Sequence, residues 1–356
     1  MDVEQLINLS NWYVRKIKPI LKSYQDLSTV LSHNASQPNK QPVREHLANL
    51  TASLEQTPLE LLSSEEISHL DEIGVLKYLG PSGLAFVNET VTSGDFDPAS
   101  ASSDISAAIQ RITELQGYFR ELLTNLSNVG FVTEDAEQLA VGESLIRVRF
   151  QNDASIRDVQ LLKKWSVDWY DIARGVAMCV GESPNDVKVV GASKGSIILT
   201  LAATASVTFL LAKIAKHVGA IAHEGLKVAG AVESLKQQKL HTAAIEAQLK
   251  ENLKKTEEGM IESTVAEVVK SLPKPINGDT KTALVKAVEK FSSFTDKGGD
   301  VDFVVAETPE EDPDVAADDL KEIIAQTKEI QEVVNEIRAQ NAEIRRLTHV
   351  NPTPGG

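Results

Sequence analysis

Apolar residues recur at steps of three to five through most of the first 130 positions, the spacing that lines one face of an α-helix. Leu6, Leu9, Val14, Ile17, Leu21 and Tyr24 predict a first amphipathic helix, bent by Pro19. The polar stretch 32–41 predicts a loop, and a second helix follows over 43–56. Ser63 with Glu66 three positions on forms a capping box, so a short helix opens there and closes near Gly80 and Pro81. Positions 89–103, rich in Ser, Asp and Thr, read as loop. Ile105, Ile109, Ile112, Leu115, Phe119, Leu122 and Leu126 then mark another amphipathic helix. Residues 1–130 are expected to form a helical domain.

The period changes in the middle of the chain. Residues 144–150 alternate as a half-buried strand does. A helix over 155–180 holds Trp165, Trp169 and Tyr170, and 186–190 and 196–202 read as two more strands. Gly191 to Gly195 suits a hairpin turn between them. The module over 140–203 is therefore β-α-β-β, and it resembles part of a split βαβ arrangement in element order. From Thr204 a long helix is expected as far as 273, where Pro273 and Pro275 stop it. Residues 274–318 read as a linker with a short helix at 281–294 and an acidic run at 307–319, and 319–349 as a coiled-coil tail. The expected fold class is α+β, mostly helical: an N-terminal helical bundle, a small β-α-β-β module, a long central helix and a C-terminal coiled-coil helix.

The tail carries the most informative pattern. Leu320, Ile323, Thr327, Ile330, Val334, Ile337, Asn341, Ile344 and Thr348 follow alternating three- and four-residue steps, a heptad seam. One alternating set is all isoleucine; the other carries the polar residues. Asn at such a position costs stability and fixes register, and isoleucine at d disfavours a parallel dimer. Leu211, Ile214, Val218 and Ile221 begin a second seam that continues through Gly225, Val228, Val232 and Leu235, then drifts. Such faces seek another helix, within the chain or outside it. Because the acidic run sets the last helix apart, the expectation is a non-enzymatic protein-protein interaction or assembly protein. Its interface residues would be Leu211, Ile214, Val218, Ile221, Leu320, Ile323, Ile330, Val334, Ile337, Asn341 and Ile344, and its partner another protein or a second copy of itself.

Composition narrows the partners. Lys plus Arg number 36 against 51 Asp plus Glu, a net charge of −15 that repels phosphate backbones, so no nucleic-acid partner is expected. The single cysteine, Cys179, excludes an internal disulfide and a multi-Cys zinc site, and its apolar neighbours predict a buried, inert thiol. An acidic start with no apolar run after it does not read as a signal peptide, so the expected location is cytoplasmic. Aromatic residues at 5% argue for aliphatic helix packing over a β-sandwich.

Candidate chemistry is sparse. Gly191-Ala192-Ser193-Lys194-Gly195 matches the G-x-S-x-G nucleophile elbow, with Ser193 as nucleophile and His217, His223, His241 or His349 as base. The surrounding strands and an oxyanion segment are missing, so a serine hydrolase is only a third reading. Lys194-Gly195-Ser196 reverses the order a phosphate-binding P-loop requires. His217 and Glu224 share a helix face while His223 points elsewhere, so no metal or cofactor is expected. Residues 196–212 carry no charge but are too few for a span, which needs about 20. Extending them would bury Lys213 and Lys216. A membrane-active protein that inserts its 196–232 region is the runner-up.

Overall fold

The computed structural model describes residues 3–92, 97–130, 143–193, 197–237, 243–272, 274–305 and 317–350. The chain divides into two compact units, Met1–Gln138 and Leu139–Gly356. Together they make the α+β, mostly helical fold that the hydrophobic periods predict.

Helices alone build the described part of the first unit: α1 (Val3–Ser36), α2 (Arg44–Glu55), α3 (Ser64–Glu72), α4 (Gly80–Thr92) and α5 (Pro98–Asn128). The two long helices, α1 and α5, pack along each other. Leu9, Tyr13, Ile17, Ile20, Tyr24, Leu27 and Leu31 fall on one face of α1 and are buried with Ile105, Ala108, Ile112 and Phe119 of α5. The two buried tyrosine hydroxyls donate to backbone carbonyls, Tyr13 to Ile112 at 3.3 Å and Tyr24 to Tyr78 at 3.0 Å, so neither is desolvated without a partner.

Boundaries in this unit differ from the sequence reading in three places. The first helix runs on to Ser36, where Asn34 exchanges two hydrogen bonds with the backbone of Gln41 and Ser32 meets Ser102 at 2.7 Å. Gly80 and Pro81 open a helix instead of closing one, because proline in a first turn lacks only an N–H that would have no helical acceptor. The Ser- and Ala-rich stretch read as loop is the start of α5, capped by Asp97, which accepts from the Ser100 N–H at 2.9 Å. The capping box at Ser63 and Glu66 forms as expected.

The second unit is a sheet covered by helices. Its elements are β1 (Glu143–Phe150), α6 (Val159–Val180), β2 (Lys188–Ser193), β3 (Ile197–Thr204), α7 (Ala205–Gln237), α8 (Ala243–Lys270), α9 (Gly278–Asp296), β4 (Asp300–Val304) and α10 (Ala317–Val350). The strand order is β2-β3-β1-β4 with every neighbouring pair antiparallel. β3 therefore sits between the two strands that α6 connects, which is the split βαβ arrangement, and β4 extends it on the far side of β1.

Alternation along β1 sends Ser144, Ile146, Val148 and Phe150 inward. On the opposite face, Arg147 lies between Thr200 and Asp302, and Arg149 between Ile198 and Asp300. Phe150, Trp165, Trp169, Phe291 and Phe294 form an aromatic cluster linking β1, α6 and α9, with near-perpendicular rings where Phe294 meets the two indoles. α6 and α9 approach closely at Gly175, where an added Cβ would stand 2.5 Å from the Ala283 carbonyl oxygen.

Here the structure corrects the sequence reading twice. The single helix expected over 204–273 is two helices packed on each other. His217 of α7 lies 3.1 Å from Glu267 of α8, whereas continuous helix would separate them by about 75 Å. Likewise, much of the expected linker 274–318 belongs to the core: α9 buries Leu284, Ala287, Val288, Phe291 and Phe294, and β4 pairs with β1. The acidic run that follows lies mostly outside the described residues.

Candidate functional site

The described heptad residues lie on two helices that pack on each other, α7 and α10 of the same chain. Leu211, Ile214, Val218 and Ile221 are buried on α7, and Ile330, Val334 and Ile337 on α10. Asn341 is half-buried, and the side chains of Leu320, Ile323 and Ile344, all on α10, lie outside those described. The Lys216 ammonium meets the Glu336 carboxylate at 2.6 Å, and Gln340 Oε1 lies over Gly219, where an added Cβ would be 3.3 Å away.

α10 also closes the sheet. The Arg338 guanidinium donates to the Phe303 carbonyl of β4 at 3.0 Å and lies 3.7 Å from Asp302. An edge carbonyl that would otherwise invite another strand is thereby occupied. This second contact explains why Val333, which no heptad position predicts, is buried beside Val334: the inward stripe is wider than a two-helix seam. Two polar atoms missed by the sequence reading are buried on these two helices. Thr208 is fully buried, and among the described residues neither its Oγ1 nor Gln340 Oε1 has a hydrogen-bond partner.

Of the residues proposed for chemistry, the structure describes the backbone of Ser193 and the side chain of His217. Ser193 ends β2 opposite Ile198, and the element that follows is the antiparallel strand β3. A nucleophile elbow needs a strand-to-helix turn, so the motif lacks its backbone. His217 is held against Glu267, and burial lowers its pKa against the pull of that carboxylate. The side chains of Ser193, His223, Glu224, His241 and His349 fall outside those described, and so does the turn 194–196. Cys179 is buried, donates to the Gly175 carbonyl at 3.2 Å, and has its pKa pushed up to about 11 by burial. Such a thiol is a poor nucleophile. Among the described residues no group of three His, Cys, Asp or Glu side chains is placed to hold a metal ion.

One charged network stands out. Lys290 of α9 reaches Asp168 at 2.6 Å and Asp171 at 2.5 Å on α6, and Lys286 reaches Asp171 at 2.9 Å. Burial alone would raise the Asp171 pKa, but the two lysine hydrogen bonds outweigh it and hold the carboxyl below its usual range. These side chains bridge two packed helices.

The region proposed to enter a bilayer is not a free apolar segment. Leu201, Ala202 and Ala203 belong to β3, and Ala205, Val207, Leu210, Leu211 and Ala212 to the buried side of α7. Among the described residues no helix is long and apolar enough to cross a membrane. Comparison with protein-family models, curated proteins and solved structures finds no match for this chain.

Proposed function

We propose that this is a non-enzymatic interaction and assembly protein that uses its α7–α10 seam to join copies of itself. The observation that carries the reading is the seam's composition. Apolar heptad residues of two helices close on each other across a contact that a second copy presents identically. The only covalent link between β4 and α10 is a short acidic segment, so exchanging α10 between copies preserves every seam contact. Closure within one chain then dominates in dilute solution, where the tether keeps the effective concentration high, and exchange grows with protein concentration. The lone buried thiol, kept free, supports a reducing setting such as the cytoplasm.

Light scattering over a concentration series tests the idea. The expected result for the full chain is a mass that climbs from monomer to dimer, with the climb abolished in a chain stopped at Asp318. A full chain that stays monomeric throughout overturns it, as does a shortened chain that associates just as well.

A further inference from the structure

We propose that the outward face of α6 is a docking surface for an acidic amphipathic helix of another protein. This surface is separate from the α7–α10 seam. The helix is fixed at both ends, by Asp158 accepting from the Leu161 N–H at 2.8 Å and by Gly181 in the left-handed conformation at φ +78. Its inward side is the core, with Trp165, Trp169, Ile172 and Val176 buried. A helix covered on one side normally turns polar residues to water on the other. α6 mixes apolar residues among them: Val159 is 79% exposed, Leu162 43%, Val167 50% and Tyr170 55%. No other helix among the described residues exposes so many large apolar side chains. Val159, Val167 and Tyr170 run with Lys163 and Arg174 along a strip about 22 Å long, the length of four helical turns, and Leu162 stands at its edge.

Charge identifies the occupant. Lys163 and Arg174 are exposed on this side of α6, while Lys164 lies on the flank, with its ammonium 4.6 Å from the centre of the Trp165 ring. The carboxylates of Asp168 and Asp171 are turned to the flank, where Lys290 and Lys286 already answer them. The strip therefore offers apolar area interleaved with two cations, on a molecule whose net charge is −15. A second copy's α6 would set Lys163 and Arg174 against their own kind, so self-pairing is disfavoured. An anionic bilayer would meet the charge of the whole molecule. A single helix meets only the local cations, with the rest screened beyond about 8 Å at physiological salt. The complement is a helix with aliphatic residues on one face and Asp or Glu flanking them, bound as an amphipathic helix is bound in an apolar groove.

The probe is a fluorescein-labelled synthetic peptide of about five turns, with Leu at helical spacing and Glu elsewhere. Its control carries Lys in place of Glu. Binding to the full chain is read by anisotropy at low and high salt, and vesicles of phosphatidylserine and phosphatidylcholine are tested in parallel by flotation. Two variants change only exposed residues: Val167→Glu with Tyr170→Glu, and Lys163→Glu with Arg174→Glu. Circular dichroism checks that both keep the native helix content.

The expected result is binding of the acidic peptide that weakens with salt and drops at least about tenfold in each variant. Absence of binding by the native chain overturns the proposal. So does equal binding by the variants, or a preference for the Lys peptide. Vesicle binding that the variants abolish, without peptide binding, assigns the face to a lipid surface and overturns it as well.

Discussion

Gly175 shows how much one missing atom decides. Glycine inside a helix costs about 1 kcal/mol against alanine, yet here the bare Cα lets α9 approach. An added Cβ would meet the Ala283 carbonyl oxygen at 2.5 Å and the Ala287 Cβ at 2.6 Å, and neither atom can swing aside. Gly175→Ala is therefore expected to destabilise the second unit by about 1–3 kcal/mol, as overpacking does. Gly117 on α5 is the counter-case, since nothing lies within 4 Å of an added Cβ. Gly117→Ala is expected to stabilise the first unit by up to about 1 kcal/mol. Urea denaturation of both variants gives the two signs; equal signs would remove the steric argument. Cys179 offers a second check at this scale. With its pKa pushed up to about 11 and its side chain buried, the native thiol should resist Ellman's reagent at neutral pH. Guanidinium should release one reactive thiol per chain, and fast labelling of native protein would show the site to be open.

Among the helices, the α7–α10 contact is where sequence and structure speak most directly to each other. Ile330 is fully buried, so Ile330→Ala should cost about 2–5 kcal/mol in chemical denaturation, with the spread set by how far the seam collapses. Thr208 tests the opposite case. Its buried hydroxyl lacks a hydrogen-bond partner among the described residues, and replacing it with a methyl removes a desolvated polar group. Thr208→Val should raise stability by about 1 kcal/mol; a loss of that size would mean the hydroxyl is satisfied in solution. The α7–α8 contact adds a pH dependence. Burial holds the His217 pKa below its unfolded value near 6.5, against the pull of Glu267. The unfolded chain then binds more protons as pH falls below that value, so stability is present above it and declines through mildly acidic pH. His217→Gln should flatten that slope, measured as the urea midpoint against pH.

The whole molecule is two units with separate hydrophobic cores, one all-helical and one built on a sheet. Separate cores predict separate cooperative transitions. A fragment of residues 1–138 should fold alone, with a helical circular dichroism spectrum and a melting transition that reappears in the full chain. A single transition in calorimetry, together with an unfolded fragment, would show that the units depend on each other.

Local pattern was enough for the elements. Periods of two and of three to four place β1, the hairpin of β2 and β3, and the helices carrying Leu9, Ile112, Ile214 and Ile330, because those signals come from side chains a few positions apart. The capping box at Ser63 and the inert thiol at Cys179 were legible for the same reason. What the sequence left open was which surfaces meet. The short strand β4 could be read as linker because its pairing with β1 joins positions more than 150 residues apart. The turn back between α7 and α8 was hidden by a helical period that looked continuous. A heptad says that a helix wants a neighbour without saying whose, and the structure closes this one within the chain. The outward face of α6 was illegible for a related reason. Which of the apolar residues of α6 stay exposed, Val159, Val167 and Tyr170 among them, is decided only when the core, formed from distant segments, claims the other side of the helix.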